Sequence, residues 1–205
     1  MKIGLLGGSF DPPHNAHLAL AQRVMRARGL DRVDLLVSGQ SPHKDGKTNH
    51  ADAGQRLAMA RIASESAEGI GVEDCETRRP GRSYTVDTLR ELTKRFPDNR
   101  YVFIVGGDML GDLPHWKEPG EVLTLADVVP VFRPGYGAEI LESLTRALGT
   151  TLTEQLRSNV VEMPLMNISS TMIRAAVAGG ESISAWVPPG VESYIRAHRL
   201  YGVVN

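Results

Sequence analysis

Two histidines three residues apart follow a glycine pair near the start of the chain. The run is Gly7-Gly8-Ser9-Phe10-Asp11-Pro12-Pro13-His14-Asn15-Ala16-His17. Glycine lets a backbone approach a ligand with no side chain in the way, and the prolines fix the path of the loop. A helix is expected to start near His14 to His17, where free N–H groups and the helix dipole favour an anion. At a spacing of three, both imidazoles share one face of the first turn. These features suit phosphate oxygens. The run is neither the G-x-G-x-x-G dinucleotide fingerprint nor a P-loop, which needs Gly-Lys-Ser/Thr. As a zinc fragment it is poor: helical zinc pairs usually stand four apart and need a third ligand, for which His43 is the candidate.

A second constellation stands near the far end: Ile168-Ser169-Ser170-Thr171-Met172-Ile173-Arg174. Ser or Thr at a helix start caps it, and hydroxyls with free N–H groups make an anion cradle. Arg174 follows Ser170 by four and projects from the same face. A guanidinium can grip phosphate oxygens in a bidentate way. Read alone, this is a capped helix with a solvated arginine.

The elements that must position these groups alternate along the chain. Short apolar runs predict strands at Ile3–Leu6, Val33–Val37, Ile70–Val72, Tyr101–Val105, Asp127–Phe132 and Val160–Met163. Several are too uniformly apolar for a one-sided sheet. Amphipathic spacing predicts helices at His17–Arg28, Asp52–Ala67 and Thr85–Phe96. The last third is more helical, with Ala138–Leu148, Ser170–Ala178 and Val191–Leu200. The order implies α/β class: a doubly wound, Rossmann-like parallel sheet with a small helical C-terminal subdomain. The expected division is a core over 1–165 and an extension over 166–205. In such folds ligands sit beyond the carboxyl ends of the strands. The stretches Gly39–Ala53 and Glu76–Ser83 read as loops, the latter with Arg78, Arg79 and Arg82 as a solvated cluster. His50, His115 and His198 read as surface residues.

Composition bounds the partners. The 205 residues carry 23 Lys and Arg against 24 Asp and Glu, a net charge of −1. That balance argues against a dedicated nucleic-acid binder. A hydrophobic content of 41% argues against disorder. The single cysteine, Cys75, excludes an internal disulfide and a multi-cysteine metal site. It reads as structural. No apolar run approaches the roughly 20 residues of a membrane span, and no leader is evident. A cytoplasmic protein is expected, without a membrane partner and with its oligomeric state, a homo-oligomer included, left open.

The first run resembles the signature of the nucleotidyltransferase superfamily that moves an adenylyl or cytidylyl group. Ala16 stands where that signature usually has glycine. The second constellation resembles the same superfamily's phosphate-gripping motif. Further segments resemble the nicotinate-mononucleotide adenylyltransferases: Ser41-Pro42-His43-Lys44, with Ser41 in place of a proline, Ser83-Tyr84-Thr85-Val86-Asp87-Thr88-Leu89, Phe103-Ile104-Val105-Gly106-Gly107-Asp108 followed by Trp116, and Arg133-Pro134-Gly135. The resemblance implies AMP transfer from ATP to nicotinate mononucleotide, with Mg²⁺ arriving on the ATP and no protein metal ligand. It implies that His14, His17 and Arg174 are catalytic. Gly8, Ser9, Phe10, Lys44, Gly106, Asp108, Ile168, Ser169, Ser170 and Thr171 would bind ATP. His43, Tyr84, Thr85, Trp116 and Arg133 would bind the acceptor. The chemistry agrees: a flat pyridine ring suits Trp116, and a ring carboxylate suits N–H donors at the helix start near Tyr84 and Thr85. Plainer roles stay open, with Thr85 and Asp108 as helix caps and Trp116 as loop cover. Alternatives are another acceptor of the same superfamily, such as phosphopantetheine, or a non-catalytic nucleotide-binding module.

Overall fold

The apolar runs pair side by side into one six-stranded sheet, all parallel, in the order β3-β2-β1-β4-β5-β6. In the computed structural model, which describes residues 1–40, 50–164 and 166–202, the strands are β1 (Lys2–Gly8), β2 (Arg32–Val37), β3 (Ile70–Glu73), β4 (Arg100–Gly106), β5 (Ala126–Phe132) and β6 (Val161–Glu162). The first five each cover a run expected from the sequence, while β6 keeps only two residues of the expected Val160–Met163. Side chains alternate across a strand, so one sheet feeds two cores. Leu6, Val33, Leu35, Val102, Ile104 and Val129 face one of them. Ile3, Leu5, Leu36, Tyr101, Phe103 and Val105 face the other.

The helices divide between these faces by their apolar stripes. On the first face lie α1 (Asn15–Arg28) and α2 (Ala53–Glu65), through Leu18, Ala21, Val24, Met59, Ala60 and Ala63. Between β3 and β4 come α3 (Cys75–Arg78) and α4 (Thr85–Arg95). Val86, Leu89 and Leu92 of α4 pack on the second face. After β4 follow α5 (Gly107–Gly111), a 3-10 turn over Leu113–His115, and α6 (Pro119–Leu125). After β5 come α7 (Ala138–Leu148) and α8 (Thr150–Ser158), which bury Leu141, Leu144 and Leu156 on that second face.

After β6 the chain returns to the first face with α9 (Ser170–Ala178) and α10 (Pro189–Ala197), ending in a 3-10 turn over Leu200–Gly202. Ile173, Val177, Val191, Ile195 and Leu200 join the core that holds α1 and α2.

The stretch 76–83, expected as a loop, begins inside the short helix α3. Four residues are too few for an apolar period to register. Nor are all its arginines a solvated cluster. Arg78 pairs with Asp74, and half-buried Arg79 donates to Thr88 Oγ1 at 2.7 Å. Cys75 is buried, and burial with Glu73 nearby pushes its thiol up to about 12. No described helix is long and apolar enough to cross a membrane.

Candidate active site

Sequence neighbours diverge at β1 and β4. β1 is followed by β2 on one side, and β4 by β5 on the other. This reversal opens a crevice beyond the strand ends, and two cavities occupy it. The first, about 760 Å³, is lined by His14, His17, Leu20, Val131, Phe132, Arg133, Tyr136 and Met163, among others. The second, about 640 Å³, is lined by Gly8, Ser9, Ser38, Glu76, Ser83, Tyr84, Thr85, Phe103, Trp116 and Lys117, among others. Gly106, the last residue of β4, lines both.

The loop after β1 is held from below. Phe10 takes a left-handed backbone (φ 48°) and buries its ring. The ring meets His17 edge-on at 5.0 Å. Buried Asp11 accepts from the N–H groups of His50 and Ala51, at 2.8 and 3.1 Å, and from the Tyr201 hydroxyl at 2.8 Å. Burial and Asp11 together push the Tyr201 hydroxyl pKa up. The start of α2 is thereby fastened to the loop from which α1 departs.

His14 is the N-cap of α1, in an extended conformation. Its backbone N–H donates to His17 Nδ1 at 3.2 Å. In a neutral ring, that leaves the His17 proton on Nε2, as a donor. The two rings stack at 3.6 Å with 17° between planes. Burial pushes the His14 pKa down to about 4. Burial and the adjacent His14 push His17 well below its usual value. Both rings are therefore neutral at pH 7, and the stack carries no internal repulsion.

The second constellation docks on this loop. Ser169 caps α9, its Oγ accepting from Met172 N–H at 3.2 Å. Ser170 Oγ donates to the Pro12 carbonyl at 2.8 Å. Arg174 donates to the Asp11 carbonyl at 2.7 Å and to Thr171 Oγ1 at 3.2 Å. Ile168 packs against the core. Asn15 N–H donates to the Trp186 carbonyl at 2.8 Å. Two motifs some 150 residues apart thus meet at one loop.

In the second cavity, α4 begins with Tyr84 as N-cap and no side chain capping its first turn. Its free N–H groups suit a carboxylate. Trp116 stands edge-on to Phe103 at 5.8 Å. Lys117 Nζ lies 5.1 Å from the Tyr84 ring centroid and 2.9 Å from Asp87. Glu76, buried beneath, accepts from Thr88 Oγ1 at 2.7 Å. Burial pushes the Glu76 pKa up, against the pull of Thr88 and Arg79.

Nine of the eighteen expected site residues line these two cavities, while Ile168, Ser169, Ser170, Thr171 and Arg174 line neither. Tyr84, Thr85 and Trp116 line the second cavity as a group. Arg133 lines the first cavity with the histidines, not the second with Trp116. Gly8 and Ser9 line the second cavity, and Phe10 supports His17 from the core. The backbone of Asp108 lies in α5. His43 and Lys44 lie outside the described residues. His50, His115 and His198 are exposed.

Sequence reasoning gave Arg56 no place and Tyr201 no role, although the closing Leu200-Tyr201 fits the family resemblance. Arg56 is 1% exposed and donates to the carbonyls of Ser9, Ser38 and Gly39. A signal for it existed: Arg56 stands four residues before Ala60 and seven before Ala63, on the apolar stripe of α2.

The description "Cytidylyltransferase-like" belongs to a family model that matches residues 5–176. The chain is 37% identical over 201 residues to a probable nicotinate-nucleotide adenylyltransferase of Oceanobacillus iheyensis, covering 98% of this chain and 97% of the relative. It is 41% identical over 201 residues to one of Halalkalibacterium halodurans, covering 98% and 91%. Among solved structures it resembles a Plasmodium falciparum nicotinic acid mononucleotide adenylyltransferase complexed with NaAD. The TM-score is 0.76 at 18% identity, over 99% of this chain and 98% of that one. At that identity the likeness is one of fold.

Proposed function

The chain belongs to the cytidylyltransferase-like family and, within it, to the nicotinate-nucleotide adenylyltransferases, and from that premise we propose how its residues divide the work. It is a nucleotidyltransferase of NAD biosynthesis. AMP passes from ATP to nicotinate mononucleotide, leaving nicotinate adenine dinucleotide and pyrophosphate. The observation that supports the division is the meeting of two unlike cavities at Gly106.

ATP takes the first cavity, where Leu20, Val131, Phe132 and Met163 offer an apolar wall to the base. Its phosphates lie toward the start of α1. Arg133 meets the nucleotide there. Gly106 and Asp108, at the end of β4, serve the ribose. Nicotinate mononucleotide takes the second cavity, with its pyridine ring on Trp116. Its ring carboxylate meets the N–H groups at Tyr84 and Thr85, which favours the acid over the amide. The acceptor phosphate lies toward Gly8 and Ser9, and His43 and Lys44 keep the roles that the resemblance gives them, His43 toward the acceptor and Lys44 toward ATP.

The acceptor phosphate oxygen attacks the α-phosphorus in line. The new P–O bond forms as the bond to the leaving pyrophosphate breaks. A phosphate is already a competent nucleophile at neutral pH, so positioning and charge stabilisation carry the catalysis. His17 donates from Nε2 and His14 beside it. Arg174, with Ser169, Ser170 and Thr171, holds the pyrophosphate. Mg²⁺ enters as part of the ATP substrate, held by phosphate oxygens and water. Among the described residues lining the first cavity, Glu139 is the one carboxylate. The reaction takes place in the cytoplasm.

The test is an assay with MgATP and either mononucleotide at matched concentration. One pyrophosphate should appear per dinucleotide formed, faster with the acid than with the amide. Absence of acceptor-dependent pyrophosphate overturns the assignment. A preference for the amide overturns the role given to the start of α4.

A further inference from the structure

Arg56 is buried on α2, and the steps above make no use of it. Its guanidinium is 1% exposed, and among the described residues no carboxylate stands within ion-pairing distance. It is surrounded by main-chain carbonyls instead. Nη1 donates to Ser9 O at 2.8 Å and to Ser38 O at 2.7 Å, and Nη2 donates to Gly39 O at 3.3 Å. Nε is buried with no partner among the described residues. Burial pushes the guanidinium pKa down, against the pull of Asp11, Tyr201 and Asp52. Stability alone does not call for such a group. A methionine would fill similar space in an apolar core without desolvating a charge.

The three acceptors belong to two loops. Ser9 follows β1, and Ser38 and Gly39 follow β2. Where these parallel strands end, the main chain adds the bond from Ser38 N–H to Gly8 O at 2.9 Å. Beyond it, a single nitrogen of Arg56 joins the two loops. A guanidinium is planar, with its donors in a fixed fork. Carbonyls bound to it are therefore held at a set separation and direction. The base of the fork is itself fixed, because Asp11 fastens the residues just before α2 to the loop after β1. Gly8, Ser9 and Ser38 line the second cavity. The first loop continues directly into His14 and His17, which line the first cavity.

We propose that Arg56 is a positioning residue that fixes the spacing of the β1 and β2 loops, and through it the approach of the acceptor phosphate to the α-phosphorus of ATP. The catalytic half of this inference rests on the reading of the two cavities given above. The mechanical half, the coupling of two loops, does not. A lysine at this position keeps the charge and three donors on one nitrogen, but they rotate freely on a flexible stem and lack the fixed plane of the guanidinium.

The experiment compares Arg56→Lys and Arg56→Met with the parent protein, well below each variant's thermal midpoint. With ATP and nicotinate mononucleotide, kcat should fall about 10- to 100-fold, the scale of a small misplacement of reacting groups. Each KM should change by no more than about threefold. Amide hydrogen exchange should quicken together at residues 8–10 and 38–40, and stay slow in β4. Lysine should retain more turnover than methionine. The proposal is overturned by folded variants with parental kcat, by a loss confined to KM, or by exchange that rises evenly along the chain. If the parent protein does not turn these substrates over, the reading of the cavities fails. The exchange pattern then still decides whether Arg56 couples the loops.

Discussion

The stacked imidazoles of His14 and His17 are neutral as the protein stands, and this sets two measurable properties. A neutral Nε2–H still donates to a phosphate oxygen, and negative charge gathering on the transferring group draws the ring toward its protonated form. Replacing His17→Ala removes that donor. Turnover with ATP and nicotinate mononucleotide should drop by about 10²-fold or more, and near-parental kcat would take His17 out of the chemistry. Stability carries the second property. The His14 pKa lies at about 4 in the native protein against 6.5 for an unburied ring. Between those values the unfolded chain binds a proton that the native protein does not. Stability should therefore fall as pH drops from about 6.5 toward 4, and His14 should leave it unchanged above that window. Thermal midpoints across this range should show the slope, and His14→Asn should lessen it, with His17 supplying the remainder. The histidine pair was legible because spacing alone puts both rings on one turn. Their stacking and neutrality were not, since burial depends on the path of the whole loop, which residue spacing does not supply.

The strands and long helices were legible because their periods are long enough to count. Each of the six apolar runs became a strand, and Ala138–Leu148 and Ser170–Ala178 match α7 and α9 residue for residue. Elements of four or five residues, such as α3 and α5, carry no period. They form because the chain must turn sharply where a strand ends. One contact shows how closely α3 fits. A Cβ at Gly39 would stand 2.3 Å from the Glu76 carbonyl oxygen and 3.0 Å from Ser83 Oγ. The first neighbour is backbone, so it cannot swing aside. Gly39→Ala should push α3 and the start of α4 off β2, at about 1–3 kcal/mol by urea unfolding. Its KM for the mononucleotide should rise more than its KM for ATP, because Ser83, Tyr84 and Thr85 line only the second cavity. Parental stability would show that α3 yields freely. The arginine stripe position at 56 teaches the complementary lesson. A charged residue on an apolar face was visible, but its carbonyl partners lie in loops whose paths no spacing rule supplies.

For the whole molecule, alternation of strand and helix and the right-handed crossover implied a doubly wound sheet. The docking of the last third could not be read the same way, because it depends on shape complementarity across distant segments. Ile183, Val187, Val191, Ile195 and Leu200 sit in the same core as α1 and α2. The full chain should accordingly unfold in one cooperative transition. Ending the chain at Gly180 strips those side chains from the core and removes Tyr201 from Asp11. That variant should lose the transition in calorimetry, and a retained parental midpoint would make the extension an independent appendage. A net charge of −1 is compatible with a triphosphate ligand because a few cations and polarised N–H groups converge at one crevice. The bonds from Ser170, Arg174 and Tyr201 to the loop at Asp11 and Pro12 also have a temporal meaning. A ribosome makes the two histidines some 150 residues before their clamps. A chain still being translated holds both histidines and much of its sheet, yet lacks the parts that pin them. The loop at Asp11 and Pro12 is therefore made well before it is fixed in place.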